Sequence, residues 1–249
     1  MKTETVPVLG IDTAGARIGV SLLCPDGKIR SASRQGINHE RSLFPILDAL
    51  MEPFGLALAD LGTVCVLTGP GRFTGIRIGL TFASVLNRLA GVEARGISTL
   101  EAVAWQTAQS EDFRRFVPAA KGVVLASIIH AFRDEYYCRL FKAAGESPVP
   151  VGTARWLSGE ALKTYLYPYR ERLYCAGEAE PGKGLSSVIP AGVVAGPDGK
   201  PFLRPESVIR AGLDMGRSGD LIPVYLKPAR YELEQHKRKG NRKFLIPNA

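Results

Sequence analysis

The glycine-rich stretch TGPGRFTGIRIG at residues 68–79 has the residue types of a loop that could hold phosphate. An apolar strand precedes it and a helix follows, so backbone N–H groups and the positive end of the helix dipole would face a bound anion. The spacing fits neither common phosphate motif, because the P-loop lysine is absent and Thr74 replaces the third glycine of the dinucleotide-binding motif. Two interpretations stay open: a nucleotide site, or glycines that allow a sharp turn and close helix packing.

Asp12 and the histidines are the other candidates for chemistry. Asp12 ends an apolar strand and faces a turn, where a carboxylate either organises metal or phosphate or stabilises the turn as an Asx residue. His39 stands at a helix start and His130 at a strand end, positions typical of a capping and a near-core histidine. No two histidines have the spacing of helical metal ligands and no GxSxG elbow is present, so the sequence predicts neither a metal site nor an acyl-enzyme.

The bulk composition is that of an ordinary globular protein. Of the 249 residues, 45% are hydrophobic and 22% are charged, which provides an ample core. Apolar runs such as residues 62–67 and 123–129 are far shorter than the roughly 20 residues of a membrane span. The start of the chain lacks a secretory apolar segment and the four cysteines lie far apart, so we expect a cytoplasmic protein with reduced thiols and no membrane contact.

Positive charge is concentrated at the end of the chain. The formal net charge is +8, and residues 227–249 contribute +5 of it, from seven Lys or Arg and two Glu. Such a run either binds nucleic acid through phosphate contacts or is a solvated extension. The candidate contacts are Lys237, Arg238, Lys239, Arg242 and Lys243.

Hydrophobic periodicity and turn signals predict an α/β protein with an internal repeat. In the first half they predict a meander of strands at 8–12, 18–23 and 28–33, helices at 39–54, 76–90 and 99–109, and strands at 61–67 and 92–97. The second half begins in the same way, with strands at 123–129 and 136–141, a helix at 158–166, an extended segment at 173–176 and a helix at 205–215. We therefore expect two hairpin-opened lobes, residues 1–105 and 106–226, followed by a basic tail at 227–249.

The order of these motifs resembles the TsaB family, also called YeaZ. The segments VLGIDTA, HERSLFPILDAL, TGPGRFTGIRIGLTFASVLN, VEARGISTLEAVA and PVYLK follow one another as in that family over nearly the full chain. Around the glycine loop the family pattern is GPGSFTG[ILV]RIG, and this sequence departs from it only at Arg72, where serine is usual. A second departure is His130, which stands at the acid of the family pattern DARxxEVY.

The resemblance implies the fold of actin, Hsp70 and the sugar kinases, with two α/β lobes that each open with a β-hairpin meander. It also implies a non-catalytic subunit of the machinery that makes N6-threonylcarbamoyladenosine at position 37 of tRNA. In that machinery the transferase is a paralogous subunit, TsaD, an ATPase called TsaE joins the pair, and tRNA is reached through the complex. Contact between tRNA and the basic tail of this chain is a separate hypothesis. The resemblance leaves open a homodimer of the free chain and ATP or ADP at the partner interface, and no other cofactor is expected.

The family's site residues are carried over as two sets. The partner is expected to dock on the apolar stripes of two first-lobe helices, part of which the core must claim, through Leu43, Leu47, Leu50, Phe54, Phe73, Arg77 and Leu80. The phosphate-type loops are expected to be degenerate, with Arg72 filling the second of them, and they comprise Asp12, Thr13, Gly15, Gly69, Gly71, Thr74 and Gly75.

Two other functions stay open. An ATP-dependent phosphotransferase of the sugar-kinase type would use Asp12 to organise Mg²⁺ and the loop at 69–75 to hold phosphates. A metallopeptidase would need metal ligands that the sequence does not supply.

Overall fold

A computed structural model describes residues 5–36, 38–119, 122–143, 147–196 and 203–227. Within these ranges the chain forms two mixed β-sheets, one of six strands and one of five, with helices packed against them. No helix in the described ranges is long and apolar enough to cross a membrane.

The first sheet opens with an antiparallel meander of β1 (Val8–Asp12), β2 (Arg17–Leu23) and β3 (Ile29–Gln35). β4 (Thr63–Gly69) pairs parallel to β1, and β5 (Glu93–Ser98) pairs parallel to β4. All five residues of β1 are buried, because the strand lies in the middle of the sheet.

Three helices connect or follow these strands: α1 (His39–Met51), α2 (Phe73–Ala90) and α3 (Thr99–Ala108). Short 3-10 turns at Glu52–Phe54 and Leu58–Asp60 lead from α1 to β4. Gly91 ends α2 with a φ of 70°, the left-handed cap that glycine adopts without strain. The predicted start of α3 is confirmed, since the backbone N–H of Ser98 donates to Glu101 Oε2 at 3.2 Å.

The second sheet repeats the topology of the first. β6 (Val124–Phe132), β7 (Glu135–Lys142) and β8 (Val149–Ser158) form an antiparallel meander. β9 (Leu173–Gly177) pairs parallel to β6, and the short β10 (Val194–Ala195) pairs parallel to β9. The hairpin repeat predicted from the sequence is therefore part of a duplication that extends over five strands of each sheet.

Several elements of the second half were not predicted, a short helix and β8 among them. α4 (Glu111–Phe116) is only six residues long, too short for a clear helical period, although Ser110 caps it by accepting from Phe113 N. β8 contains Pro150 and Gly152, which weaken the strand signal, and it lies at the edge of its sheet where both residues are tolerated. α5 (Gly159–Leu166) follows β8 and agrees with the helix predicted at 158–166.

The last helix, α6 (Pro205–Met215), packs on the first sheet although it follows the second in sequence. Gly212 allows close contact, since a Cβ at this position would lie 2.5 Å from Cys65 Cβ. Ser21 Oγ also donates a hydrogen bond to Pro205 O at 2.8 Å. β11 (Arg217–Ser218) then pairs with β5. The predicted lobe boundary after residue 105 places α6 in the second lobe, whereas the helix packs on the sheet of the first lobe. Sequence order does not reveal which sheet a helix packs on.

The two lobes share one main hydrophobic core. The largest buried cluster includes Leu9 and Ile11 of the first sheet together with Leu125, Phe141 and Tyr174 of the second. A smaller cluster lies on the far side of the second sheet under α5. The shared core fixes how the turns of the two meanders face each other.

Candidate functional site

The glycine loop is a tight connection of three residues, 70–72, between β4 and α2. It lies against the β1–β2 turn, where the backbone N–H of Arg72 donates to Ala14 O at 2.7 Å. A Cβ on Gly71 would lie 2.5 Å from the same carbonyl oxygen, and a Cβ on Gly79 would lie 2.6 Å from Thr13 Oγ1. A Cβ on Gly75 would overlap Thr13 O outright. The two loops that a phosphate site would hold apart are therefore in contact, which favours the packing interpretation of the glycines.

Asp12 stabilises the β1–β2 turn. Its Oδ1 accepts a hydrogen bond from the backbone N–H of Ala14 at 3.0 Å, the Asx arrangement that the sequence offered as one alternative. Burial disfavours the charged carboxylate and raises the pKa of Asp12 to about 6, although the Ala14 N–H and the positive charge of Arg17 oppose the shift.

A cleft of about 370 Å³ lies between the two lobes. The first lobe lines it with residues 14–16, the glycine loop and Thr99, and the second lobe with residues 129–131 and Glu178. Burial, with a smaller contribution from the charge of Asp12, raises the pKa of Glu178 to about 7. Two carboxyl groups with raised pKa values thus lie at or near this cleft.

Arg72 and His130, the two departures from the family pattern, both line this cleft. The Nε2 atom of His130 is hydrogen-bonded to Arg133 O at 2.7 Å, and the ring centroids of His130 and Tyr136 lie 5.6 Å apart. These contacts fit the near-core role proposed for this histidine. Within the described part of the chain, no group of three or more His, Cys, Asp or Glu side chains could hold a metal ion.

The predicted docking residues divide between core and surface. Leu47 is 2% exposed, and three other leucines of the predicted set are buried with it, so their side chains offer little surface to a partner in the folded chain: Leu43, Leu50 and Leu80. Phe54 is partly buried beneath the guanidinium of Arg30, whose Cζ lies 4.6 Å from the ring centroid. Phe73 and Arg77 are exposed. The stripe of α1 faces the sheet because the sheet supplies the apolar surface that covers it.

The exposed apolar surface lies beside that stripe, in a groove between α1 and α2 of about 610 Å³. Phe44 is 54% exposed and Val85 is 46% exposed, although both are large apolar residues. Phe44 and Phe82 meet edge to face across the groove, with ring centroids 5.8 Å apart. We call this surface, lined by Phe44, Phe73, Ile78, Phe82 and Val85, the helix groove.

The motif PVYLK lies beside Phe73, one of the residues that line the helix groove. Val224 N–H donates to Thr68 O at 2.8 Å, which holds the segment at the end of β4. The rings of Phe73 and Tyr225 lie 5.0 Å apart, and Arg77 lies over Phe73 with its Cζ 3.9 Å from the ring centroid. The basic residues at 237–243 lie outside the described residues.

These features define a class of protein. Two lobes, each a meander followed by parallel strands and covered by helices, meet at a cleft, which confirms the predicted α/β architecture of two hairpin-opened lobes. A solved structure titled "YeaZ from Pseudomonas aeruginosa" has the same fold, with a TM-score of 0.69 and 22% sequence identity over 89% of this chain and all of that one. A second Pseudomonas aeruginosa structure, described as similar to peptidase YeaZ, matches 90% of this chain and all of its own with a TM-score of 0.71 and 22% identity.

Sequence comparison finds relatives that match part of the chain. The chain is 33% identical over 98 residues to the tRNA threonylcarbamoyladenosine biosynthesis protein TsaB of Bacillus subtilis, which covers 39% of this chain and 43% of that protein. The chain therefore spans less than half the length of this curated relative. The resemblance to the TsaB family is confirmed, in sequence over part of the chain and in fold over nearly all of it.

Part of the chain is also similar to a transferase. The family model described as "TsaD: tRNA N6-adenosine threonylcarbamoyltransferase" matches residues 31–124. A tRNA N6-adenosine threonylcarbamoyltransferase of Lawsonia intracellularis is 41% identical over 71 residues, which is 28% of this chain and 19% of that protein. The matched region contains α1, α2 and the glycine loop.

The close contact at Gly75 gives a test of the packing interpretation. We expect Gly75→Ala to lower the free energy of unfolding by about 3 kcal/mol, because the new methyl group overlaps the Thr13 carbonyl and backbone has to move. Gly15→Ala is the matched control, since the nearest atoms to its Cβ are 3.9 Å away, and it should stay within about 0.5 kcal/mol of wild type. Urea denaturation measures both, and equal stability of the two variants would contradict the interpretation.

The raised pKa of Glu178 gives a test of the cleft. In the folded chain this pKa is about 7, against a reference value of 4.5, so between these pH values the folded state binds more protons than the unfolded state. The stability that the neutral carboxyl contributes is complete below about pH 4.5 and is lost as the pH rises through 7.

The free energy of unfolding of the wild type should therefore fall by about 1 to 3 kcal/mol between pH 5 and pH 8, because Glu178 ionises in this range. Replacing Glu178 by Gln should remove this loss. Chemical denaturation at the two pH values measures this loss. Glu180→Gln is the control, because Glu180 is paired with Lys183 at 2.6 Å and this pairing lowers its pKa. A wild type and a Glu178→Gln variant with the same pH dependence would show that Glu178 ionises freely.

Proposed function

We propose that this chain is a non-catalytic subunit of the machinery that makes N6-threonylcarbamoyladenosine in tRNA, and that it works by binding a TsaD-type transferase through the helix groove. The observation that carries the proposal is an exposed apolar groove within the region that matches the transferase model, on a chain that is similar in part to TsaB. A TsaE-type ATPase and tRNA would be reached through the complex.

The groove has the character of a protein-binding surface. Large apolar side chains are exposed together on two adjacent helices, and contiguous apolar patches of this kind mark interaction sites on soluble domains. Burial of such surface contributes roughly 25 cal/mol per Å², so a covered groove would be a main source of binding free energy. Glu40 and Arg77 line the same groove and supply the polar groups that fix orientation.

The similarity to the transferase argues for the occupant. Because the TsaD model matches residues 31–124, a TsaD-type chain has its own counterpart of this lobe, including α1 and α2. Two related lobes can pair through equivalent helix pairs about an approximate two-fold axis, which places four helices in one bundle. A second copy of this chain could pair by the same geometry, so a homodimer is the competing occupant.

The cleft supports a partner role rather than a reaction of the chain's own. Asp12 is occupied in its turn, the glycine loop packs directly on Ala14, and the pKa of Glu178 is raised. A sugar-kinase-type phosphotransferase would instead bind Mg²⁺-ATP here and hydrolyse it slowly. Titration calorimetry and a phosphate-release assay on the isolated chain separate the two functions, because tight binding with turnover would favour the phosphotransferase.

Nucleotide at the partner interface and tRNA contact by the basic tail remain parts of the proposal. Loss of the five basic residues at 237–243 should reduce the salt dependence of tRNA binding, because each phosphate contact releases counterions. Unchanged affinity of a chain lacking residues 235–249, over a salt series, would remove the tail from the proposal.

The docking surface is tested by placing a charge in the helix groove. Val85→Asp should weaken binding of the purified cognate transferase by about 100-fold or more, because docking would bury an unpaired carboxylate. Val149→Asp is the matched control: the same change at a valine 51% exposed on β8, outside the groove. Titration calorimetry measures both affinities, and circular dichroism checks the fold.

Equal affinities of the two variants for the transferase would contradict docking in the groove. A Val85→Asp variant that loses only self-association would assign the groove to a homodimer. Leu47→Asp is unsuitable for this test, because Leu47 belongs to the core and the variant would unfold.

A further inference from the structure

The end of the described chain crosses from one lobe to the other. Residues 222–227, which we call the strap, begin at β4 of the first lobe, where Val224 N–H is bonded to Thr68 O. They end on the second lobe, where Lys227 Nζ forms an ion pair with Glu135 and lies 5.3 Å from the ring centroid of Trp156. The strap is therefore held at both ends and presents its middle residue, Tyr225, in a fixed place.

Tyr225 forms a three-residue cluster with α2 at the end of the helix groove. Its ring packs on Phe73, and its hydroxyl oxygen accepts a hydrogen bond from Arg77 Nε at 3.2 Å. The guanidinium of Arg77 is in turn stacked on the face of Phe73. Tyr225 is 44% exposed and Phe73 is 52% exposed, so the cluster is accessible in the free chain.

The cluster orients a cation that has no anion of its own. Within the described ranges Arg77 forms no ion pair, and its one hydrogen bond uses Nε, which leaves the Nη groups available to a ligand. A planar guanidinium held by aromatic neighbours matches a carboxylate in a two-bond arrangement. Tyr and Arg are also the residue types that most often carry the binding energy of protein interfaces.

We propose that Arg77, Phe73 and Tyr225 form a recognition site for a carboxylate side chain of the docked partner, and that the strap is part of the docking surface. This inference rests on the proposed function, since the partner is the TsaD-type chain that would occupy the helix groove. The carboxylate fixes the orientation of a partner whose remaining contact with the groove is apolar. A partner surface without an acidic side chain would bury the guanidinium of Arg77 without a counter-ion.

The test compares two Tyr–Arg pairs of the same chain. Tyr225→Ala and Arg77→Ala should each weaken binding of the purified cognate transferase by about 10-fold at low salt. Tyr167→Ala and Arg170→Ala are the matched controls, because Arg170 lies 4.3 Å from the Tyr167 ring centroid on the second lobe, outside the groove, and both should bind as wild type does. Tyr225→Phe keeps the ring contact and loses only the hydroxyl, so its loss should be smaller than that of Tyr225→Ala.

Salt dependence identifies the carboxylate. Wild-type affinity should fall as the ionic strength rises, and the Arg77→Ala variant should show a weaker fall, because the screened charge pair is missing. An equal fall in both proteins would overturn the carboxylate assignment. Thermal melts of each variant exclude a loss that comes from unfolding.

The outcomes separate this inference from the proposed function. Loss of binding in Val85→Asp, with wild-type affinity in both Tyr225→Ala and Arg77→Ala, would overturn the recognition site and leave docking in the groove intact. Wild-type affinity in all three variants would overturn both. Altered self-association in Tyr225→Ala, without any effect on the transferase, would overturn the inference by assigning the cluster to contact between copies.

Discussion

The contact between α2 and the β1–β2 turn is the constraint on which the rest of the site depends. Glycines on one face of the helix leave no room between it and the Thr13–Ala14 backbone, and Arg72 N–H is bonded across the gap to Ala14 O. With the helix held there, its opposite face is turned outward and presents Phe73 and Val85 to solvent. The same packing that occupies the phosphate-type loops thus positions the surface that we propose as the docking site.

The second lobe is held in a fixed place against the first. The shared core and the strap hold it against the first lobe, so the cleft between the meanders is narrow and contains carboxyl groups with raised pKa values. This arrangement supports the proposal that the chain acts by contact, for which a rigid two-lobed body is sufficient.

Much of the fold could be predicted from local sequence signals, and the site only in part. Pro205 at a helix start and the Ser98–Glu101 cap set helix boundaries through contacts between near neighbours, which a sequence displays directly. Periodicity found the apolar stripe of α1 but could not tell which of its residues face inward, so the predicted docking set includes the buried Leu47 and omits the exposed Phe44. Glu178 and Tyr225 act through residues distant in sequence, and no local pattern indicates such contacts.

The central claim is that the chain works through the outer face of its first two helices and the strap, and that its cleft is not where it acts. Hydrogen–deuterium exchange of the full chain, with and without the purified cognate transferase, tests this claim most directly. The account predicts that exchange slows on binding in α1, α2 and residues 222–227. Slower exchange confined to the cleft segments 14–16, 129–131 and 178–181, with α2 unchanged, would contradict it.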